Sequence, residues 1–219
     1  MESLCKHIIP AFSVKNIKEE LNILDICFGL GFNTLSTLYY AKESNYKGRI
    51  NIYSPELDST LVSSLLDFKY PKEFDSYKEI IASICKENFY RDENIFIEIF
   101  LGDARKYIKT LKPKSFDIVY QDAFSPKANP ALWTYEYFKE IKTVLKDDGI
   151  LTTYSTALAT RLALYENGFN IYLNEGDSFR ASTVASLSKL DIFSIIDMKH
   201  KIECNPHIRA LRDTQKSDN

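Results

Sequence analysis

Three carboxylates and two glycines stand where hydrophobic runs of the sequence end. Gly29 and Gly31 follow NILDICF, Glu56 follows RINIYSP, Asp103 follows IFIEIFL and Asp122 follows FDIVYQ. Glycine lets the backbone approach a ligand where a Cβ atom would clash, and carboxylates accept hydrogen bonds from hydroxyl and amino groups. An acid about 20–25 residues after a glycine loop is typical of sites that hold a ribose. Together these residues predict an adenosine pocket.

Each of these residues also has an ordinary structural explanation. A lone G-x-G forms tight turns, and a single acid after a strand often caps a turn or a helix. Four successive strand ends with such residues favour the functional interpretation. The capping role of Asp122 stays open as the alternative.

Asp122 is the second residue of an unusually stiff segment, QDAFSPKANPALW, which holds Pro126, Pro130 and the only tryptophan, Trp133. A rigid loop fixes the direction of a carboxylate. Such a carboxylate can accept the hydrogen bonds of an amine, orient its lone pair and take or relay its proton. We therefore predict that Asp122 is the catalytic residue.

The elements that carry these residues alternate between strands and helices. The predicted strands cover residues 22–28, 49–55, 95–101, 116–120, 150–154, 169–173 and 182–187. This alternation predicts an α/β fold with a Rossmann-like, seven-stranded doubly wound sheet, mostly parallel with a C-terminal antiparallel strand. Residues 1–190 are predicted to form one domain and residues 191–219 an extension that is partly extended or frayed.

Composition narrows the class of protein. The 219 residues carry a formal net charge of −2, which predicts no strong overall attraction to nucleic acid or to an anionic membrane. The four cysteines form no C-x-x-C pair, so neither a zinc site nor any other metal site is expected. No apolar run approaches the roughly 20 residues of a membrane-spanning helix. We expect a cytoplasmic protein.

The glycine loop distinguishes between two adenosine-containing ligands. Thr34 stands where a dinucleotide loop would place its third glycine, and no basic residue is placed to neutralise phosphate. S-Adenosylmethionine, which has no phosphate, fits better. Asp25 in the first strand could orient the loop around the amino-acid end of this donor.

Four segments resemble, in the same order, the methyltransferase domain of the MnmC-type tRNA-modifying enzymes. These segments are LDICFGLGFNTL, YSPELD, LGDARKYI and QDAFSPKANPALWTYEYFKEI, within residues 21–173. The most specific is the last, which fits the pattern D-[AG]-F-[SA]-P-x-x-N-P-x-[LM]-W. Members of this family use S-adenosylmethionine to methylate the 5-aminomethyl group of the wobble uridine, converting 5-aminomethyl-2-thiouridine to 5-methylaminomethyl-2-thiouridine in tRNA.

The resemblance implies a role for each matching residue. The catalytic residue is Asp122, and the donor-binding residues are Asp25, Gly29, Gly31, Asn33, Glu56, Asp103 and Ala104. We predict that Phe124, Asn129, Pro130, Trp133 and Arg180 bind the substrate; of these, the resemblance implies that Asn129, Pro130 and Trp133 would wall the substrate side. The expected partner is tRNA at its wobble position, with separate FAD-dependent or aminomethyl-forming enzymes acting upstream.

The chain departs from the family pattern at two places. Cys27 stands where the family commonly has glycine, which predicts a differently shaped first turn. Residues 176–186 (GDSFRASTVAS) replace the family's G-F-G-x-K-R-E segment, with Arg180 as the only cation. Other candidate phosphate contacts are Arg105, Lys106, Lys109, Lys112 and Lys114, and in the tail Lys199, Lys201, Arg209 and Arg212.

Two other functions remain as alternatives. One is a methyl- or aminopropyl-transferase acting on a small amine, similar to a polyamine synthase, which also activates an amine with an aspartate. The near-neutral charge and the missing arginine segment favour it, whereas the DAFSPKANPALW stretch argues against it. The other is a donor-binding domain without catalysis.

Overall fold

The amino-terminal segment forms a helix that the sequence-based interpretation did not include. In the structure, a computed structural model that describes residues 2–15 and 19–213, a π-helical turn (Leu4–Ile8) continues into α1 (Ile9–Lys15). Ile8 and Phe12 are completely buried at helical spacing, and burial of this apolar face stabilises the short helix. The Lys15 Nζ atom donates to Asp148 Oδ2 at 2.9 Å, which ties α1 to the sheet.

The remaining elements follow in the expected alternation. The strands are β1 (Glu20–Ile26), β2 (Arg49–Glu56), β3 (Phe89–Arg91), β4 (Ile95–Leu101), β5 (Phe116–Gln121), β6 (Leu145–Thr153), β7 (Asn170–Gly176), β8 (Phe179–Ser186) and β9 (Ser194–Ile195). The further helices are α2 (Phe32–Glu43), α3 (Ser59–Ser63), α4 (Lys78–Glu87), α5 (Ala104–Ile108), α6 (Tyr135–Val144), α7 (Leu158–Glu166) and α8 (Met198–Cys204). Short 3₁₀ turns lie at Leu65–Asp67, Lys72–Tyr77 and Pro130–Leu132.

All nine strands of the described chain join one sheet, in the order β3-β4-β2-β1-β5-β6-β8-β7-β9. The pairs that link β4, β2, β1, β5 and β6 are parallel, whereas β8 runs antiparallel to both β6 and β7. The predicted fold class is therefore confirmed. The strands predicted at 169–173 and 182–187 correspond to β7 and β8, which pair with each other, and β3 and β9 add one short strand at each edge.

Local caps determine where two of the helices begin. Helix α6 begins at Tyr135 because Thr134 caps it, accepting from the Tyr137 N–H at 3.1 Å, and Pro130 lies in a 3₁₀ turn before it. The predicted extended tail contains helix α8, capped by Asp197, which accepts from the His200 N–H at 3.0 Å. Residues 214–219 lie outside the described residues. The division into 1–190 and 191–219 stays a prediction.

Helices cover both faces of the sheet. Alternate residues of β1 enter opposite hydrophobic clusters, with Ile23 in one and Leu24 in the other, as the two-residue period of a strand requires. The strand order reverses between β1 and β5, and in open sheets of this type ligands bind beyond the carboxyl ends of the strands at that point. Among the described residues, no helix combines the length and the apolarity needed to cross a membrane.

Candidate functional site

The loop after β1 is built from left-handed backbone. Cys27, Gly29 and Gly31 have φ angles of 68°, 55° and 72°. Cys27 therefore adopts a conformation that favours glycine, so the turn keeps a glycine-like backbone despite the substitution. Burial, together with the negative charge of Glu56, raises the pKa of the Cys27 thiol to about 12, so this thiol stays neutral at physiological pH.

Replacement of Gly31 with alanine is expected to lower the free energy of unfolding by at least about 1–2 kcal/mol, the cost of a left-handed residue with a Cβ atom. That atom would also lie 2.8 Å from Phe28 Cζ, so the Phe28 ring or the loop must shift, and we expect donor affinity to fall. Gly168→Ala is the matched control. Its φ is 88°, but its Cβ atom would meet only Lys142 Nζ at 3.4 Å. Urea unfolding measures the stability of the two variants, and calorimetric titration measures their affinity for the donor. Equal effects of both variants on donor binding would contradict the prediction.

A cavity of about 1000 Å³ lies beyond the ends of β1, β2, β4 and β5. Four carboxylates line it, those of Glu56, Asp58, Asp103 and Asp122. Glu56 Oε2 accepts from the Gly29 N–H at 2.8 Å and Oε1 from the Asp58 N–H at 3.0 Å, which joins the glycine loop to the end of β2. The remaining lone pairs of this carboxylate are available to ligand hydroxyls.

Asp103 has two roles at the end of β4. Its Oδ1 atom accepts from the Lys106 N–H at 2.9 Å and caps α5, so the ordinary structural explanation is correct for this atom. The side chain also lines the cavity. Arg105 lines the cavity as well, but its guanidinium pairs with Glu140 at 2.9 Å and with Asp213 at 2.8 Å.

Asn33 joins two carboxylates behind the cavity. Its Nδ2 atom donates to Asp25 Oδ1 at 3.1 Å and to Asp122 Oδ2 at 3.0 Å, and Thr34 Oγ1 donates to Asp25 Oδ2 at 3.3 Å. Asp25 is completely buried, and this burial, reinforced by the charge of Asp122, raises the pKa of Asp25 to about 8 despite the two hydrogen bonds. Asp25 is thus mainly neutral at pH 7 beside an ionised Asp122.

The raised pKa of Asp25 makes the stability of the fold depend on pH. The folded protein binds the proton of the Asp25 carboxyl more tightly than the unfolded chain does. The stabilisation that this proton contributes is therefore complete below about pH 3.8 and is lost as the pH rises towards 8. The free energy of unfolding should fall by up to about 5 kcal/mol over that interval. Asp25→Asn should remove this dependence in urea unfolding measured at several pH values. The exposed Asp67→Asn control should keep the pH dependence. If both variants lost it, Asp25 would not be its source.

The loop after β5 is held by hydrogen bonds on several sides. The Ser125 carbonyl accepts from the N–H groups of Ala128 and Asn129, both at 2.8 Å, and Tyr154 Oη donates to the Ala123 carbonyl at 3.0 Å. Trp133 Nε1 donates to the Phe124 carbonyl at 2.7 Å. The stiffness predicted from the prolines therefore also has a hydrogen-bonded basis.

Trp133 does not wall the substrate side as predicted. Its side chain is completely buried in the core, where it packs against Phe138 and Tyr154, so it supports the loop from behind. Phe124 faces outwards instead and is 80% exposed. An exposed aromatic ring beside a cavity can stack on a planar ligand.

A second cavity of about 560 Å³ meets the first at Phe32, Asp122 and Phe124. Its other walls come from the amino-terminal segment and from the ends of β5 and β6, through Glu2, Ser3, His7, Ala123, Ser125 and Tyr154. The Asp122 side chain is 34% exposed, and its Oδ1 atom lies 3.4 Å from His7 Nε2. One carboxylate thus lies at the junction of two cavities.

The structure brings most of the predicted site residues together. Those that line the larger cavity are Gly29, Asn33, Glu56, Asp103, Ala104, Asp122, Phe124 and Asn129. Five others line neither cavity: Asp25, Gly31, Pro130, Trp133 and Arg180. Arg180 is exposed on β8 at the same edge of the sheet as Asp122. His7 was missed, although the helical spacing of Leu4, Ile8 and Phe12 could have indicated a buried amino-terminal helix.

Four of the nine cations in the predicted phosphate-binding clusters form ion pairs within the described part of the chain. Ion pairs hold Arg105, Lys109, Lys114 and Arg212 to Glu140, Asp147, Glu166 and neighbouring carboxylates. Within the described residues, no such pair involves Lys106 or Lys112. The contact of these surfaces with tRNA stays a prediction.

The lining of the larger cavity suits a cationic nucleoside better than a nucleotide. Its four carboxylates attract positive charge and accept hydrogen bonds from hydroxyl and amino groups, whereas the single lining arginine is already paired with two acids. Gly29 leaves open space at the loop, where no atom except the Cys27 carbonyl oxygen, at 4.0 Å, would meet a Cβ atom. S-Adenosylmethionine, with its sulfonium and ribose, fits this set of groups.

Comparison with known proteins agrees with this chemistry. The sequence profile of a family described as S-adenosyl-L-methionine-dependent methyltransferase matches residues 72–187. An uncharacterised protein of Methanocaldococcus jannaschii is 36% identical over 156 residues, which cover 68% of this chain and 41% of that protein. The tRNA 5-methylaminomethyl-2-thiouridine biosynthesis bifunctional protein MnmC of Leptospira interrogans is 27% identical over 174 residues, 74% of this chain and 26% of its own length.

Among solved structures, MnmC2 from Aquifex aeolicus superposes with a TM-score of 0.80 at 29% sequence identity, covering 100% of this chain and 70% of that chain. The similarity thus extends over the whole fold, including the amino-terminal segment. The chain spans less than half the length of the two curated relatives described above.

Proposed function

The chain belongs to the family of S-adenosyl-L-methionine-dependent methyltransferases, and on that premise we propose that it methylates the 5-aminomethyl group of the wobble uridine in tRNA. The conversion is from 5-aminomethyl-2-thiouridine to 5-methylaminomethyl-2-thiouridine. The observation that carries the proposal is the position of Asp122 at the junction of two cavities, one suited to the donor and one open to an acceptor.

The larger cavity is assigned to the methyl donor. S-Adenosylmethionine supplies an electron-poor methyl group on a sulfonium. Glu56 would accept hydrogen bonds from the ribose hydroxyls, and Asp103 would accept from the exocyclic amine of adenine through the oxygen that does not cap α5. Gly29 gives the donor close access to the loop, and Asn33 ties that loop to Asp122.

Asp122 is assigned to the acceptor amine. An aminomethyl nitrogen is protonated in water at neutral pH and then has no lone pair for attack. An ionised carboxylate favours the approach of the ammonium group, accepts its hydrogen bonds and takes or relays one proton, which leaves the lone pair directed at the methyl group. Burial alone would raise the pKa of Asp122, but its contacts with His7 and Asn33 outweigh this effect and keep the pKa below the ordinary value, so Asp122 is ionised at pH 7.

Two further points support tRNA as the acceptor. The MnmC relatives are named for 5-methylaminomethyl-2-thiouridine biosynthesis in tRNA, a product that carries one methyl group on this nitrogen. The exposed ring of Phe124 stands at the junction of the cavities, where a uracil ring turned out of the anticodon could stack. The proposal places the protein in the cytoplasm and requires separate enzymes upstream that form the aminomethyl group, with FAD-dependent chemistry as one route.

The proposal is tested with labelled S-adenosylmethionine and undermodified tRNA that carries 5-aminomethyl-2-thiouridine. We expect label in this nucleoside after digestion, and one additional methyl group by mass spectrometry. The matched control is tRNA whose wobble aminomethyl nitrogen is already acylated, which should take up no label because the nitrogen lone pair is delocalised.

Polyamines are supplied in parallel to test the alternative. Label in polyamine but not in tRNA would replace the proposal with a small-amine transferase. Donor binding by calorimetry without transfer to either acceptor would indicate a donor-binding domain that lacks catalysis.

A further inference from the structure

His7 is a buried polar side chain with a defined partner on each ring nitrogen. Its side chain is only 2% exposed. The Nδ1 atom lies 2.9 Å from Thr152 Oγ1 in β6, and Nε2 lies 3.4 Å from Asp122 Oδ1. The ring also packs edge-on against Tyr120 of β5, with centroids 5.8 Å apart. Residues from two separate segments, β6 and the end of β5, therefore fix the position of this imidazole.

Each of the two oxygens of Asp122 has its own partner. His7 faces Oδ1, and the Asn33 amide donates to Oδ2 at 3.0 Å. The side chain is still one-third exposed to the junction of the two cavities. A carboxylate fixed at both oxygens keeps one direction, and this is what a group that orients a reacting amine requires.

From this geometry we infer that His7 is a positioning residue, which fixes the direction of the Asp122 carboxylate towards the acceptor. The inference rests on the proposed function, because Asp122 is assigned there as the group that meets the amine. His7 acts through Asp122 and needs no contact with either substrate.

Other charges around Asp122 do not replace this contact. The titratable groups that face Asp122 are His7 and Lys6 of the amino-terminal segment, Asp25 of β1, Cys27 of the loop after it and Tyr154 after β6. Asp25 and Cys27 are mainly neutral at pH 7, and Lys6 is engaged by Glu2. Burial favours the neutral form of Asp122, so loss of His7 should raise the pKa of this carboxyl.

The test combines two His7 variants with the Asp122 variant. His7→Ala should lower kcat for methyl transfer roughly 10- to 100-fold, with the calorimetric affinity for S-adenosylmethionine unchanged. The acid side of its kcat–pH profile should move to higher pH. His7→Gln, whose amide group can donate a hydrogen bond to Asp122, should recover most of the rate. The exposed His200→Gln on α8 is the matched control and should behave as wild type.

A double variant separates positioning from a general structural role. If His7 acts through Asp122, adding His7→Ala to the Asp122→Ala variant should not lower kcat for methyl transfer any further. An equal fold-loss in both backgrounds, a wild-type rate for His7→Ala, or a parallel loss of donor affinity would each overturn the inference.

Failure of the proposed function is recognised separately, because wild-type protein would then transfer no methyl group to tRNA. In that event the rates of the His7 variants relative to wild type are measured with whichever amine accepts the label. Carbon NMR of the side-chain carboxyls needs no acceptor at all. The pKa of Asp122 should be higher in His7→Ala than in wild type, and an unchanged value would overturn the inference.

Discussion

Asp122→Ala is expected to lower the rate of methyl transfer by about 10²- to 10⁴-fold while the dissociation constant for S-adenosylmethionine changes little. The amine loses the group that accepts its proton and directs its lone pair, whereas the donor keeps Glu56, Asp103 and the glycine loop. Single-turnover transfer to tRNA measures the first quantity, and calorimetric titration with donor measures the second.

The controls for this variant separate charge from shape. Asp122→Asn keeps the size of the side chain but removes the base, so it should be almost as inactive as the alanine variant. Asp147→Ala removes an exposed carboxylate that pairs with Lys114, and it should transfer methyl groups at the wild-type rate. If Asp122→Ala lost donor affinity in the same proportion as rate, Asp122 would be a residue of the donor pocket and the catalytic assignment would be wrong.

Glu56→Ala is expected to have the opposite effect, with donor affinity lowered at least about 100-fold and the rate at saturating donor close to wild type. Two hydrogen bonds from ribose hydroxyls to a carboxylate would be lost, each contributing about 1.5–3 kcal/mol. The Gly29 N–H and the Asp58 N–H would also lose their acceptor, so the loop would be less well fixed.

Glu56→Gln should lie between alanine and wild type, because an amide keeps one acceptor oxygen. The exposed Glu87→Ala at the end of α4 serves as the control and should bind donor normally. A Glu56→Ala protein with normal donor affinity and a lowered rate would exclude the assignment of this residue to the ribose. Together, the Asp122 and Glu56 variants should separate chemistry from donor binding.

The sheet and the donor cavity could be predicted from the sequence because their signals are local. Each central strand is a short apolar run that ends at a glycine or an acid, and the parallel topology brings these ends to one edge. Glu56 and Asp122 could therefore be assigned to one pocket although they are distant in the sequence. The motif around Asp122 further predicted that the acceptor is an amine.

The surroundings of Asp122 and the pairing of Arg105 could not be predicted from the sequence, because they depend on contacts between distant segments. Nothing beside His7 in the sequence indicates that it will meet Asp122 and Thr152. Trp133 adjoins a reactive loop, and only the packing of α6 shows that its ring lies in the core. Arg105 has the sequence context of a surface cation, yet its partners Glu140 and Asp213 come from two other parts of the chain.

The four carboxylates of the donor cavity also have a consequence for turnover. The donor enters with a positive sulfonium, and the thioether left after transfer is uncharged at sulfur. The cavity lining attracts the sulfonium form more strongly than the thioether, because it contains four carboxylates and its one arginine is already paired with acids. The four carboxylates are those of Glu56, Asp58, Asp103 and Asp122. The pocket thus favours release of the spent nucleoside, and product inhibition should be weaker at low ionic strength, where this discrimination is least screened.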